Sequence, residues 1–117
     1  MSNTVNYFEI GTTDPEAAKA FYGDTFGWTF GSLEPGGYGM VDGAGNGGGL
    51  WDSSTVGGGS WAVFYVEVDD IEAKLEQAAA NGAETVIPLV DNGTIKFAHL
   101  RDPLGNRFGV WQRKAQG

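Results

Sequence analysis

Gly45-Asn46-Gly47-Gly48-Gly49-Leu50-Trp51 and Gly105-Asn106-Arg107-Phe108-Gly109-Val110-Trp111 are two versions of one pattern, 60 positions apart. Upstream of each lies a second matched pair. Phe8-Glu9-Ile10 leads to Asp14-Pro15-Glu16-Ala17, and Phe64-Tyr65-Val66 leads to Asp70-Ile71-Glu72-Ala73, at an offset of 56. A chain of two similar halves places equivalent positions about a pseudo-twofold axis, and a site on that axis draws on both halves. The duplicated positions are therefore where function is sought.

Each half reads β-α-β-β-β. Residues 5–11 alternate, with Phe8 and Ile10 on one side and Tyr7 and Glu9 on the other. Asp14 caps a helix that Pro15 starts and whose dipole Glu16 complements. Ala17, Ala18, Phe21 and Tyr22 recur at helical spacing, and Gly23 and Gly27 help to end the helix. Short strands follow near 28–30, 38–41 and 47–51. Residues 53–60, rich in Gly, Ser and Thr, read as a linker. Residues 61–68 alternate again. Asp69 or Asp70 caps the second helix, with Asp69 and Glu72 as a capping-box-like pair. Ile71, Leu75, Ala78 and Ala79 form its buried stripe, and Asn81-Gly82 ends it. Strands are expected near 85–87, 96–100 and 106–111, the last two joined by an Asp102-Pro103-Leu104-Gly105 turn.

Composition bounds the function. The 117 residues suffice for one compact domain or two small modules sharing a core. No cysteine is present, which excludes disulfides, thiol nucleophiles and cysteine metal sites. The Met1-Ser2-Asn3-Thr4 start lacks the basic and apolar regions of a signal peptide, and no apolar run is long enough to span a membrane, so a cytoplasmic protein is expected. The net charge is −8, and residues 1–95 hold 14 of the 15 acids but only two of the seven bases. Such a chain repels nucleic acid and anionic membranes and attracts cations. The plainer reading is acidity for solubility. Gly43 to Gly49 carries five glycines but no Gly-Lys-Ser/Thr and precedes no helix, so it is not a phosphate loop.

Four stretches taken together are more specific. They are Tyr7-Phe8-Glu9-Ile10 through Asp14-Pro15, Phe21-Tyr22 with Phe26-Gly27-Trp28, Val66-Glu67-Val68-Asp69-Asp70, and Arg101-Asp102-Pro103-Leu104-Gly105-Asn106-Arg107-Phe108. In this order and spacing the sequence resembles the vicinal oxygen chelate superfamily of glyoxalases, bleomycin-resistance proteins and extradiol dioxygenases. The resemblance implies an α+β fold, with two βαβββ modules curling sheets into a cleft and helices outside. The expected organisation is one domain over 1–117, from modules of about 1–54 and 60–117.

Metal enzymes of that superfamily carry four ligands, usually His, Gln or Glu, on the first and fourth strands of each module. By resemblance these positions fall on Tyr7, Gly49, Val63 and Gly109. Gly and Val have no donor side chain and neutral Tyr is a poor ligand for a divalent ion, so no metal and no other cofactor is expected. Alternation puts Tyr7, Glu9, Gly49, Trp51, Trp61, Val63, Tyr65, Glu67, Arg107, Gly109 and Trp111 on the cleft face, with glycines leaving room between aromatic walls. Phe8, Ile10, Phe64, Val66, Phe108 and Val110 then face the helices. Tyr7, Glu9, Trp51, Trp61, Val63, Tyr65, Glu67, Arg107 and Trp111 are the candidate ligand-binding residues. The expected function is metal-free binding of an aromatic or cationic metabolite or drug, as in the bleomycin-resistance branch. The competing readings are a glyoxalase-like lyase or isomerase using Glu9, Glu67 or His99 for proton transfer, and aromatics that only fill the cleft or an interface. His99, the only histidine, is a candidate base, a ligand with Glu9 and Glu67 in a relocated metal site, or an ordinary strand residue. A small-molecule ligand and a second copy in a homodimer are the expected partners.

Overall fold

In the computed structural model, residues 3–114 are described. The α+β chain runs through the order βαβββ twice, as the duplicated pattern requires. It divides into two compact units, one of residues 7–63 and one of residues 64–114 together with residues 3–6. Residues 1 and 2 of the expected leaderless start lie outside the described residues.

The first unit contains β1 (Thr4–Thr12) from residue 7 onward, α1 (Pro15–Phe26), β2 (Thr29–Phe30), β3 (Tyr38–Asp42) and β4 (Gly47–Asp52). The Asp14 carboxylate accepts the Ala17 N–H at 3.1 Å, and Pro15 opens α1 where no N–H is needed. Gly27 closes it in the left-handed region, φ 77°, returning its N–H to the Gly23 carbonyl. Gly23 itself stays inside the helix. Strands are ordered β2-β3-β4-β1, with β4 parallel to β1 and antiparallel to β3. Ile10, Val41 and Leu50 form the core, with Phe8, Ala18, Tyr22 and Trp28 packed against them. Tyr22 and Trp28 stack at 5.5 Å, 4° apart. Residues 53–60 are not a plain tether. Ser53–Val56 form a short 3-10 helix capped by Asp52, and the Ser53 hydroxyl donates to the Gly59 carbonyl at 2.5 Å.

The second unit holds most of β5 (Trp61–Glu67), α2 (Ile71–Ala80), β6 (Glu84–Asp91), β7 (Ile95–Arg101) and β8 (Arg107–Arg113), ordered β5-β8-β7-β6. Asp70, not Asp69, caps α2 by accepting the Ala73 N–H. Glu72 pairs with Lys96 at 2.8 Å instead of closing a capping box. Val68, Ile71, Leu100 and Val110 make the core, with Leu75 and Ala78 against it; Ala79 is exposed, so the helix stripe is narrower than its periodicity suggests. Strand β6 runs well beyond 85–87. It shifts register twice around Pro88, which cannot donate to a ladder, and those breaks hide the strand from a period-2 reading. The 102–105 turn closes with Gly105 N–H on the Asp102 carbonyl at 2.9 Å.

One face assignment fails. Phe64 is 49% exposed, while Trp61, Val63 and Tyr65 on the alternate positions of β5 are buried. The ring of Phe64 stacks on Phe108, 6.1 Å away, instead of passing under a helix. No helix among the described residues is long and apolar enough to cross a membrane.

Candidate functional site

In the first unit, β1 and β4 pair with Tyr7 opposite Gly47, Glu9 opposite Gly49 and Gly11 opposite Trp51. Side chains alternate along a strand, so Tyr7, Glu9 and position 11 share a face. Position 11 must be glycine because the Trp61 indole lies on it and would overlap any Cβ. That placement brings Trp61 Nε1 to Glu9 Oε2, donating at 2.8 Å. Glu9 is 2% exposed and Trp61 8%. Trp51 meets Trp61 edge-on at 6.0 Å, and its Nε1 donates to the Gly36 carbonyl at 3.2 Å. Tyr38 also meets Trp51 edge-on, and its hydroxyl lies 2.8 Å from that of Tyr7. Burial pushes the Tyr7 phenol above its ordinary range; the Tyr38 hydrogen bond opposes this and the Glu9 carboxylate adds to it.

In the second unit, Gly109 is flanked by Tyr65 on β5 and His99 on β7. Tyr65 and His99 are buried, and Tyr65 Oη lies 2.6 Å from His99 Nε2. Arg107 Nε donates to His99 Nδ1 at 3.0 Å. A guanidinium has no acceptor, so Nδ1 presents its lone pair, Nε2 carries the proton, and the Tyr65 oxygen accepts it. A separate group forms around Glu67. Asn6 Nδ2 donates to Glu67 Oε1 at 2.7 Å, and Arg113 Nε pairs with Oε2 at 2.9 Å. Trp111 Nε1 donates to Asn6 Oδ1 at 3.1 Å, and the Arg113 guanidinium carbon sits 5.2 Å from the Trp111 ring centre.

The candidate residues thus fall into three groups: Tyr7, Glu9, Trp51 and Trp61; Tyr65, His99 and Arg107; Glu67 and Trp111. Val63 is buried on β5. Tyr38, Asn6 and Arg113 were not expected. Tyr38 enters diagonally, since Met40 and not Tyr38 is the register partner of Gly49. Alternation places Asn6 on the face opposite Tyr7 and Glu9, and its side chain meets Glu67 and Trp111 instead.

The glycines do not leave room. A Cβ at Gly49 would overlap the Tyr38 hydroxyl, and one at Gly109 would overlap the Tyr65 ring. Two of the four positions that would hold metal donors are therefore filled by neighbouring rings, and a third is Val63. These residues do not fit a divalent metal. Among the described residues no group of three or more His, Cys, Asp or Glu gathers closely enough to hold an ion.

A family model described as Glyoxalase/Bleomycin resistance protein/Dioxygenase superfamily matches residues 4–110. The chain is 30% identical over 123 residues to a glyoxylase-like domain-containing protein of Didymella fabae, covering 97% of this chain and 96% of that one. It is 28% identical over 128 residues to CFP32 of Mycobacterium bovis and of Mycobacterium tuberculosis, a protein named as a glyoxylase; the match covers 93% of this chain, which spans only 45% of that relative. In fold it resembles methylmalonyl-CoA epimerase from Mycobacterium tuberculosis, with a TM-score of 0.61 at 16% identity over 95% of this chain and 88% of that one.

Proposed function

The chain belongs to the glyoxalase/bleomycin resistance protein/dioxygenase superfamily, and from that premise we propose that it binds a flat aromatic or cationic small molecule without a resident divalent metal. The observation that carries this is Glu9, a carboxylate 2% exposed on a wall of aromatic rings. Glu9 accepts from the Trp61 indole at 2.8 Å, and a carboxylate set among aromatic faces is the combination that recognises an organic cation. Tyr7, Trp51 and Trp61 supply ring faces around it, each worth about 0.5–1.5 kcal/mol beyond area burial when a ligand ring packs against it. Val63 belongs with the first unit's candidates, and Tyr65, Glu67, Arg107 and Trp111 are the second unit's own candidate contacts. Binding without turnover, as in the bleomycin-resistance branch, is its natural use.

The test is a ligand screen by thermal shift and tryptophan fluorescence, because a bound ligand raises apparent stability. Trp51 and Trp61 are expected to respond, and Trp28, stacked on Tyr22, to respond less. Glu9→Gln is expected to weaken a cationic ligand more than a neutral one. A silent screen, or about one tightly held metal ion per chain by elemental analysis, overturns the reading. A second reading, proton-transfer catalysis, is favoured by the glyoxylase names of the relatives. It requires product to form from a bound ligand, and Glu9→Gln to abolish that turnover while binding survives. The proposal extends to a cytoplasmic homodimer, since Phe21 and Phe26 are each 58% exposed. Light scattering giving the 12.4 kDa of one chain at micromolar concentration excludes the dimer.

A further inference from the structure

We propose that Arg113 occupies, in the free protein, a subsite for an organic cation built from Glu67, Trp111 and Asn6. The inference rests on the binding reading above and names the ligand head group that this part of the second unit takes. Asn6 is the key. Its amide N–H holds Glu67 Oε1 and its amide oxygen takes the Trp111 indole N–H. Carboxylate and ring are therefore oriented through Asn6, independently of Arg113.

Arg113 then does two things that a bound guanidinium or alkylammonium would do. It donates to the remaining Glu67 oxygen, Oε2, and it lies over the indole. A carboxylate beside an aromatic face is the recognition chemistry of an organic cation. The two partners differ in burial: the Arg113 side chain is 68% exposed, that of Glu67 only 21%. An exposed arginine at the last position of β8 leaves at little cost, because surface ion pairs contribute little. Its departure uncovers a half-buried carboxylate in a chain of net charge −8, which favours replacement by another cation. Arg113 acts as a built-in competitor.

The experiment titrates the full chain with n-propylguanidinium, which copies the arginine head group, and with neutral n-propylurea. The readouts are the indole N–H resonances of Trp111 and Trp61. Arg113→Ala is expected to bind the cation about fivefold more tightly than wild type, the scale of one exposed ion pair with its cation–π contact. Arg113→Gln, which removes the charge but keeps a polar side chain of intermediate length, is expected to behave alike. Trp111 should shift, Trp61 should not, and adding Glu67→Gln to Arg113→Ala should abolish the response. Equal affinity in wild type and both Arg113 variants, an equal response to n-propylurea, or binding that survives Glu67→Gln overturns the proposal. Its failure is separable from failure of the general reading, because a screened ligand that shifts Trp61 sustains that reading whatever happens at Trp111.

Discussion

Phe8 and Phe64 occupy equivalent positions in the two units, yet Phe8 packs against a core and Phe64 is 49% exposed. The cause lies on the neighbouring strand. Phe8 faces Gly48 in the β1–β4 register, and its ring lies where a Gly48 side chain would be. The equivalent of Gly48 is Phe108, so Phe64 stacks on a second ring and stays outside. The same exchange recurs on the other face. Gly49 and Gly109 are both filled by tyrosine, but Tyr38 comes from the hairpin strand and Tyr65 from the parallel neighbour. The position that holds Tyr65 in the second unit holds Glu9 in the first. A duplicated backbone thus tolerates different side chains as long as each glycine's space is taken up by a ring.

The largest expected effect breaks that compensation. Gly48→Ala should drive its Cβ into the Phe8 ring and cost about 3 kcal/mol, the upper end for overpacking. Phe8→Leu in the same chain should recover part of the loss in urea denaturation. A Gly48→Ala chain of wild-type stability would mean that Phe8 does not depend on the glycine. Phe64→Ala, removing a half-exposed ring, should cost about 1 kcal/mol or less.

The backbone of this comparison was legible in the sequence. Offsets of 56 and 60 reappear as matching registers, Glu9 opposite Gly49 and Tyr65 opposite Gly109. The α1 cap is legible as Asp14, three residues before the N–H it accepts, while the α2 cap is narrowed only to Asp69 or Asp70, of which Asp70 is the cap. What fills a glycine was not legible, because the filling ring arrives from another strand at a diagonal that spacing does not specify. That is why open space was expected where Tyr38 and Tyr65 lie. The Asn6–Glu67–Trp111–Arg113 group was hidden for a related reason. It joins residues up to 105 positions apart, and no local pattern marks Asn6 as a partner of Trp111.

A middling effect sharpens the contrast between Glu9 and Tyr65. Trp61→Phe keeps the ring over Gly11 but removes the N–H that Glu9 accepts. Taking one donor from a buried carboxylate should cost about 1–3 kcal/mol, and Glu9→Gln in that background should recover some of it. Equal losses from Trp61→Phe with Glu9 or Gln at position 9 would show that the ring alone matters. Tyr7 gives an alkaline counterpart. Its folded phenol titrates above the ordinary tyrosine range, so its contribution is full below about pH 10 and is lost as pH rises through the folded value. Tyr7→Phe should flatten that limb of the stability curve.

The smallest effect tests the 102–105 turn, where the sequence pattern and the structure agree most closely. The Asp102 carboxyl is held below its usual range, first by the Asn106 backbone N–H and then by the Asn106 side chain, with Leu104 and Gly105 N–H groups adding to both. A depressed folded value means that the stabilisation is complete above about pH 4, the ordinary aspartate range, and fades as pH falls through the folded value. Asp102→Asn keeps an acceptor oxygen but loses the charge. It should therefore lower the midpoint of thermal unfolding slightly at neutral pH, with the gap to wild type closing in strong acid. Asp91 and Glu72 are also depressed, by the backbone N–H of Gly93 and by Lys96 respectively, so wild type alone will lose stability in acid. The difference between the two proteins, not either curve, isolates Asp102. Parallel curves would assign the turn to Gly105, φ 93°, and its backbone bond instead of the carboxylate.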